Sequence, residues 1–248
     1  MTRTAGAASA PAQAPAPKRR VARWIGRIVG VALIALLLVQ FWFFAHIAWW
    51  NVVDPGPTRF MRLELQRLRE QDPDATLVQR WVPYERISPH LKRAVIAAED
   101  ANFTAHDGVD WDAIERAYER NLNSGRIVRG GSTITMQLAK NLFLSGERSY
   151  LRNAQELAIT YMIEAVMDKR RILEIYLNVA EWGVGTFGCE AGARRHYGTG
   201  AASLSAEQAA RMAAMLPRPR FYDRNRGAPG LARRAAIVRR GMAVVQAP

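Results

Sequence analysis

The feature that most constrains this chain is a long run without charged side chains near its N-terminus. No Asp, Glu, Lys or Arg occurs between Arg27 and Asp54. Residues 28–47 alone supply about 20 positions, and at about 1.5 Å per residue a helix of that length covers the roughly 30 Å hydrocarbon layer of a bilayer. The run therefore predicts a single transmembrane helix over residues 28–50.

The charges that flank this run predict its orientation. A basic cluster precedes it with no acidic residue, namely Lys18, Arg19, Arg20, Arg23 and Arg27. Because flanking basic residues favour the cytoplasmic side, we expect a cytoplasmic N-terminus and an extracytoplasmic domain after Trp50. The alternative is a cleaved signal peptide. Its apolar region is usually about 7–15 residues long and ends at small residues, whereas this run ends in Trp49 and Trp50.

The composition and charge of the segments on either side of the helix limit what each can be. Residues 1–27 are rich in Ala and Pro and then in basic residues, which predicts a disordered basic cytoplasmic tail. The net charge is +13, and the six basic residues of the tail leave +7 for the rest. This charge suits an anionic membrane surface or ligand, and the topology argues against nucleic acid as a partner. Cys189 is the only cysteine, which excludes an internal disulfide.

The remaining residues, 51–248, are expected to form one mainly α domain whose core spans about 80–216. Apolar residues recur at helical spacing, and strand alternation is scarce. The predicted helices cover 91–98, 111–121, 134–142, 151–167, 172–177 and 206–216. A connector with one helix near 59–71 precedes them. A basic tail follows them, with Arg233, Arg234, Arg239 and Arg240.

The first segment with chemical potential begins at Glu99, at the end of a predicted helix. It continues through Asp100, Phe103, His106 and Gly108. A carboxylate at the end of a rigid helix is well placed for catalysis. A helix end followed by a polar loop, with His106 as an ordinary hydrogen-bonding residue, explains the same segment.

The second segment has two glycines before Ser132, which we predict to cap the next helix. Hydroxyl, amide and ammonium groups follow at Thr135, Gln137, Lys140 and Asn141. A helix N-terminus after a glycine-rich lead-in binds anions well. An ordinary capped helix is the alternative explanation.

The third segment places Arg148, Arg152 and Glu156 four residues apart. That spacing puts the three side chains on one helix face. A solvated ion pair would explain them too, but it stabilises a helix by only about 0.2–0.5 kcal/mol. Stability alone therefore explains little of the arrangement.

Together these segments resemble the peptidoglycan glycosyltransferase family, which occurs in bifunctional penicillin-binding proteins and in monofunctional biosynthetic transglycosylases. The family pattern E-D-x-x-F-x-x-H-x-G is complete from Glu99 to Gly108. The pattern G-G-S-T-I-T-Q-Q-L-x-K-N is complete except for Met136 in place of the first Gln. The pattern R-K-x-x-E has Asn153 in place of its Lys, and K-x-x-I-L-E-x-Y-L-N is present over 169–178. The resemblance covers about 80–216.

This resemblance implies a lysozyme-like helical glycosyltransferase domain that polymerises lipid-linked GlcNAc-MurNAc-peptide (lipid II) into β-1,4 glycan strands. It implies inversion at the sugar carbon and release of polyprenyl diphosphate. Glu99 would be the general base, and Glu156 the second catalytic carboxylate. The implied substrate-binding residues are Lys140, Arg152, Arg148, Ser132, Thr135, Gln137, Asn141, Asp100 and His106.

The family also implies a bound Mg²⁺ or Mn²⁺, although no metal-ligand motif is visible, and no organic cofactor. The implied partners are lipid II, the growing strand, the membrane, and proteins of cell-wall synthesis or division. No Ser-x-x-Lys occurs, which predicts a monofunctional enzyme without transpeptidase activity.

Two alternatives use the same residues differently. A lysozyme-like lytic enzyme would use Glu99 as a general acid and cleave glycan. Such an enzyme has no diphosphate to neutralise, so the basic residues at 140, 148 and 152 favour synthesis. A non-catalytic membrane scaffold for cell-wall enzymes would not need both Glu99 and Glu156.

Overall fold

The structure is a computed structural model that describes residues 17–124, 131–144 and 149–248. The chain divides into two compact units, Met1–Phe43 and Phe44–Pro248. The described part of the first unit is one long helix. The second unit contains the end of that helix, ten further helices and a small sheet within the described ranges.

Helix α1 runs from Pro17 to Trp50. Its segment Val21–Trp50 has a mean hydropathy of 2.5, and among the described residues it is the one helix long and apolar enough to cross a membrane. Large apolar side chains such as Leu37 and Phe41 are 67% and 68% exposed. Such exposure is favourable when lipid instead of water surrounds the helix.

The start of α1 differs from the sequence prediction. The helix already includes residues 17–27, which we predicted to belong to a disordered tail. Lys and Arg are good helix formers, and charges do not interrupt the backbone hydrogen bonds of a helix that continues beyond its apolar segment. Residues 1–16 of the predicted tail lie outside the described residues.

The predicted mainly α class is confirmed. All six helices predicted for the core coincide with observed helices. The helices of the second unit after α1 are α2 (Arg59–Arg69), α3 (Pro89–Glu99), α4 (Trp111–Ser124), α5 (Ile134–Phe143), α6 (Tyr150–Val166), α7 (Lys169–Val179), α8 (Cys189–Tyr197), α9 (Ala206–Met215), α10 (Pro219–Arg224) and α11 (Pro229–Gly241).

A three-stranded sheet ties the connector to the region after α7. Its strands are β1 (Val78–Gln79), β2 (Glu181–Gly183) and β3 (Thr186–Phe187), in the order β1-β3-β2. Strand β1 is parallel to β3, with Val78 opposite Thr186, and β2 is antiparallel to β3. The chain turns between β2 and β3 at Val184 and Gly185, where Gly185 adopts φ +62°.

Two groups of helices position the cleft. Helices α3, α9 and α11 pack against one another, and α5 packs against both α6 and α7. Fully buried side chains such as Leu91 of α3 and Leu138 of α5 anchor the two groups. The C-terminal end of α3 therefore faces the first turns of α5.

The last turn of α1 belongs to the second unit. Ile47 is fully buried, and the rings of Trp50 and Phe143 lie 5.0 Å apart. The Arg171 guanidinium donates to the carbonyl oxygen of Trp50 at 2.9 and 3.1 Å and to that of Val53 at 3.0 Å. Arg171 therefore caps the C-terminus of α1 and fastens it to α7.

Candidate active site

Glu99 is the last residue of α3, and the rest of that helix holds it firmly. Ser88 caps the helix by accepting a hydrogen bond from the backbone N–H of His90 at 3.2 Å. Val95 is fully buried, and Asp100 leaves the helical conformation. The Glu99 carboxylate thus projects from a rigid end, as its sequence position predicts.

A chain of hydrogen bonds connects three helices at Glu99. The Gln137 amide on α5 donates through Nε2 to Glu99 Oε2 at 2.8 Å. The hydroxyl of Tyr176 on α7 donates to Gln137 Oε1 at 2.9 Å. Gln137 can reach Glu99 although Met136 replaces the neighbouring family Gln, because adjacent helix positions face different directions.

The surroundings of Glu99 shift its acidity in opposite directions. Burial raises the pKa of its carboxyl above the usual value. The hydrogen bond from Gln137 and the positive charge of Arg234 lower that pKa, and the negative charge of Asp100 raises it. The net shift is upward. Glu99 is therefore a stronger base than an exposed glutamate.

Two cavities border Glu99. The larger has a volume of about 620 Å³ and lies between α3, α5, α9 and α11. The smaller has a volume of about 200 Å³ and lies toward α4. Glu99 and Ser132 line both. Gln137, Ala214, Arg234 and Ile237 line the larger one. A ligand that extends along this cleft would therefore pass directly over the Glu99 carboxylate.

Asp100 and His106 contact each other in the loop that follows Glu99. His106 Nε2 lies 2.9 Å from Asp100 Oδ1, and the backbone N–H of Ile134 donates to Asp100 Oδ2 at 3.0 Å. Asp100 therefore ties the loop after α3 to the first turn of α5. We predicted that both residues bind substrate. Of the two, Asp100 lines the smaller cavity, and its two hydrogen bonds favour a structural role.

The start of α5 corrects two expectations. Thr133, not Ser132, caps the helix, because its side chain accepts from the backbone N–H of Met136 at 3.2 Å. Ser132 is exposed and free to face the cleft. Thr135, which we expected to contact substrate, is fully buried and donates to Glu164 Oε1 at 2.6 Å. Its hydroxyl points into the core, so direct substrate contact is not supported.

Other residues of the family patterns hold the loop after Glu99. Gly108 has φ +86°, and a Cβ there would lie 2.8 Å from side-chain atoms of both Glu164 and Thr160. Lys169 Nζ donates to the backbone carbonyl of His106 at 2.6 Å and to Glu164 Oε1 at 2.8 Å. These contacts hold the loop after α3 in place. They indicate a structural role for Gly108 and Lys169.

Lys140 and Asn141 follow Gln137 by three and four residues on α5. That spacing places them on the face of the helix that carries Gln137. Both side chains are partly exposed. Lys140 is therefore partly open to solvent on the face of α5 that carries Gln137.

Arg152 and Glu156 pair on α6. Arg152 Nη2 lies 3.0 Å from Glu156 Oε2, and the Glu156 side chain is buried. Arg152 Nη1 also donates to Asn153 Oδ1 at 2.9 Å, so the residue that replaces the family Lys contacts the neighbouring cation. Arg148 lies outside the described residues.

A divalent metal is implied only by the family resemblance. In the described ranges no group of three or more His, Cys, Asp and Glu side chains could hold a metal ion. The Glu156 carboxylate is already bonded to Arg152. The described residues thus do not form a ready metal site, and the requirement for Mg²⁺ or Mn²⁺ stays a prediction.

The chain was compared with models of known protein families. Residues 66–243 match the family model described as Transglycosylase. The chain belongs to the transglycosylase family. The matched range extends beyond the predicted core of 80–216 at both ends and includes α9, α10 and α11. Every candidate residue of the cleft lies inside it.

Relatives in this family match over almost the whole chain. A biosynthetic peptidoglycan transglycosylase of Herminiimonas arsenicoxydans is 56% identical over 230 residues, which cover 93% of this chain and 98% of that protein. One of Bordetella pertussis is 57% identical over 241 residues, covering 94% and 100%. One of Chromobacterium violaceum is 53% identical over 228 residues, covering 92% and 100%.

Two residues near Glu99 were missed by the sequence analysis. Tyr176 lies within a quoted family pattern, but nothing in that pattern indicates that its hydroxyl meets Gln137. Arg234 was assigned to a basic tail. It belongs to α11, which packs on α3 and α9 and brings the guanidinium to the cleft. No local signal marks Arg234, because its position depends on packing between distant parts of the chain.

Proposed function

We propose that this member of the transglycosylase family is a peptidoglycan glycosyltransferase that polymerises lipid II into β-1,4 glycan strands for the cell wall. The observation that carries the proposal is the Glu99 carboxylate at the border of two cavities, with the charge of Lys140 on the same side of α5. The names and coverage of the relatives support it.

Glu99 acts as the general base in this proposal. The 4-hydroxyl of an acceptor GlcNAc attacks carbon 1 of the donor MurNAc, and the bond from that carbon to the diphosphate oxygen breaks on the opposite side. The hydroxyl proton passes to Glu99, and the configuration at carbon 1 inverts. A positioned base contributes typically 10²–10⁴-fold to the rate of such a step. The raised pKa of Glu99 makes its carboxylate a better acceptor for this proton.

The leaving group calls for positive charge. A polyprenyl diphosphate leaves as an anion and needs charge stabilisation more than a proton. Lys140 supplies a compact charge on the α5 face next to Gln137, and Arg152 supplies a planar guanidinium on α6. Glu156 holds Arg152 in place through their 3.0 Å contact.

A lytic enzyme would use the same carboxylate in its protonated form. The Gln137 amide donates its N–H to Glu99, and Arg234 lies on the same cleft. Both contacts favour the charged carboxylate over the neutral acid. Burial outweighs them, so the pKa of Glu99 stays raised. The choice of synthesis over cleavage rests instead on the basic residues Lys140 and Arg152, since a lytic enzyme has no diphosphate to neutralise, and on the names of the relatives.

Membrane attachment fits the substrate. We propose that α1 spans the inner membrane once, with the N-terminus in the cytoplasm and the domain in the periplasm. The basic residues at 18–27 support this orientation. A lipid-linked donor and an anchored enzyme then share one surface, which raises their effective concentration.

The test is polymerisation by the purified full-length protein in detergent. Labelled lipid II is added, and products are separated by size before and after digestion with a muramidase. The proposal expects long, muramidase-sensitive strands from the wild type and none from Glu99→Gln. Fragments released from added glycan would indicate the lytic alternative, and no product in either assay would indicate the scaffold.

A further inference from the structure

Tyr176 is linked to Glu99 through the side-chain amide of Gln137. The tyrosine is 1% exposed on α7, and its hydroxyl donates to Gln137 Oε1 at 2.9 Å. The opposite end of that amide, Nε2, donates to Glu99 Oε2 at 2.8 Å. The three side chains come from three helices and form one directed chain of hydrogen bonds.

The direction of this chain has a chemical consequence. An amide has a donor at one end and an acceptor at the other. If the Gln137 amide turned over, its carbonyl would face the Glu99 carboxylate, which is favourable only when Glu99 is protonated. Within the described residues the Tyr176 hydroxyl has no second acceptor, so the turned amide would also leave a buried hydroxyl hydrogen unsatisfied.

The Tyr176 hydroxyl remains a donor throughout the working pH range. Burial raises the pKa of its phenol well above the usual value, and the nearby charges of Glu99 and Asp100 raise it further. The phenol therefore keeps its proton under all conditions in which Glu99 titrates.

We propose that Tyr176 is a positioning residue that orients the Gln137 amide so that Glu99 is held in its ionised, proton-accepting form. This inference rests on the proposed function, because it assigns Tyr176 a role only if Glu99 is the base. Tyr176 itself touches no substrate. It acts through Gln137.

Other charges around Glu99 set the background for this effect. Asp100 adjoins it in the chain, with His106 bonded behind. Arg234 faces it from α11. Across the smaller cavity lie the charged residues Asp110, Arg116 and Arg120. None of these has a hydrogen bond to Tyr176 within the described residues, so removing its hydroxyl leaves their direct contacts intact.

The experiment measures the pH dependence of kcat/KM for lipid II polymerisation by the full-length protein. A base works when ionised, so the rate falls as the pH drops through the pKa of Glu99. Tyr176→Phe frees the amide and weakens the donor to Glu99, so that pKa rises. We expect the acid limb to move up by about 0.5–1 pH unit, with a nearly unchanged plateau.

Two further variants separate positioning from packing. Tyr84→Phe is the matched control, since Tyr84 is also buried and its hydroxyl donates to the backbone carbonyl of Pro248. It should leave the acid limb unmoved. Gln137→Leu should move the limb upward by itself, and adding Tyr176→Phe to it should produce no further movement.

The outcomes are distinguishable. Wild-type protein that makes no polymer would refute the proposed function. Wild-type protein that polymerises, with an unmoved acid limb in Tyr176→Phe, would overturn the inference alone, and so would additive shifts in the double variant. If Tyr176→Phe does not fold, Gln137→Leu still decides, because an unmoved limb there removes the basis of the proposal.

Discussion

Gln137, Lys140 and Asn141 share one face of α5, and Thr135 occupies another. Each residue of an α-helix turns the side chain by about 100°, so positions three and four apart align, whereas positions two apart diverge by about 200°. The family pattern alone did not separate these faces. The helix geometry does, and it directs Thr135 to Glu164 in the core.

Lys140→Ala should weaken the binding of diphosphate-bearing donor. A charge-assisted hydrogen bond contributes about 1.5–3 kcal/mol, which corresponds to about 10- to 150-fold in Kd. Donor affinity can be measured by titration with labelled lipid II. Arg239→Ala removes an exposed cation from α11 and is the control. Equal affinities in wild type and Lys140→Ala would remove Lys140 from the donor site.

Gly108→Ala should destabilise the loop after Glu99. The positive φ is strained for alanine, and the new Cβ would lie 2.8 Å from Glu164 and Thr160 side-chain atoms. A loss of about 1–3 kcal/mol in the free energy of unfolding is expected. Gly56→Ala, where nothing lies within 4 Å of an added Cβ, should change stability by less than about 0.5 kcal/mol. Thermal or denaturant unfolding measures both. Equal stability of the two variants would contradict the steric argument.

Site residues that belong to local sequence patterns could be predicted, whereas contacts that depend on tertiary packing could not. Glu99 and Gln137 are carried by local patterns, and the structure brings them to hydrogen-bonding distance. Arg234 stands far from them in the chain and reaches the cleft only through the packing of α11. Tyr176 was part of a quoted pattern, but its partner depends on how α7 lies against α5. Contacts of this kind are set by tertiary packing, which a single sequence does not display.

At the scale of elements, helical periodicity located the core helices well and failed at the C-terminal end. Helix α11 was missed because its many basic residues resemble a solvated tail. Only Leu231, Ala235 and Val238 are buried along it. These three positions are spaced by four and three residues, so the sequence does contain a narrow apolar stripe at helical spacing. Helix α8 was missed because its buried residues include no large apolar side chain; they are Cys189, Glu190, Ala191, Gly192 and Ala193.

The end of α1 changes where the domain can be separated from its anchor. From sequence, the boundary falls after Trp50. In the structure Ile47 is fully buried, Trp50 lies against Phe143, and Arg171 caps the helix end. Phe143 closes α5, the helix that carries Lys140. The last turn of α1 therefore supports a helix of the candidate site.

Two truncated proteins test this boundary. A protein that begins at Phe44 keeps the buried Ile47 and the Trp50 contact, so it should fold with nearly the stability of the full chain. A protein that begins at Asn51 loses both, together with the Trp50 carbonyl oxygen that accepts from Arg171. We expect it to be less stable by about 2–5 kcal/mol, as for the loss of large buried side chains. Denaturant unfolding compares them, and equal stabilities would contradict the docking of this turn.

The whole molecule combines a helix that is long and apolar enough to cross a membrane with a helical domain for which we propose a reaction on a lipid-linked sugar. The basic domain matches an anionic diphosphate donor and an anionic membrane surface. In the proposed mechanism the Glu99 carboxylate accepts the proton of the attacking hydroxyl. In the same mechanism Lys140 on α5 and Arg152 on α6 stabilise the leaving diphosphate. The division of work between Glu99 and these cations is the central claim.

Glu99→Gln tests that claim most directly. Glutamine keeps the size of the side chain but cannot accept the proton of the acceptor hydroxyl. The full-length variant is compared with the wild type for kcat in lipid II polymerisation and for donor Kd. We expect kcat to fall by about 10²-fold or more with a nearly unchanged donor Kd, because in the proposed mechanism Lys140 and Arg152 bind the diphosphate. A folded Glu99→Gln protein with near-normal kcat would contradict it.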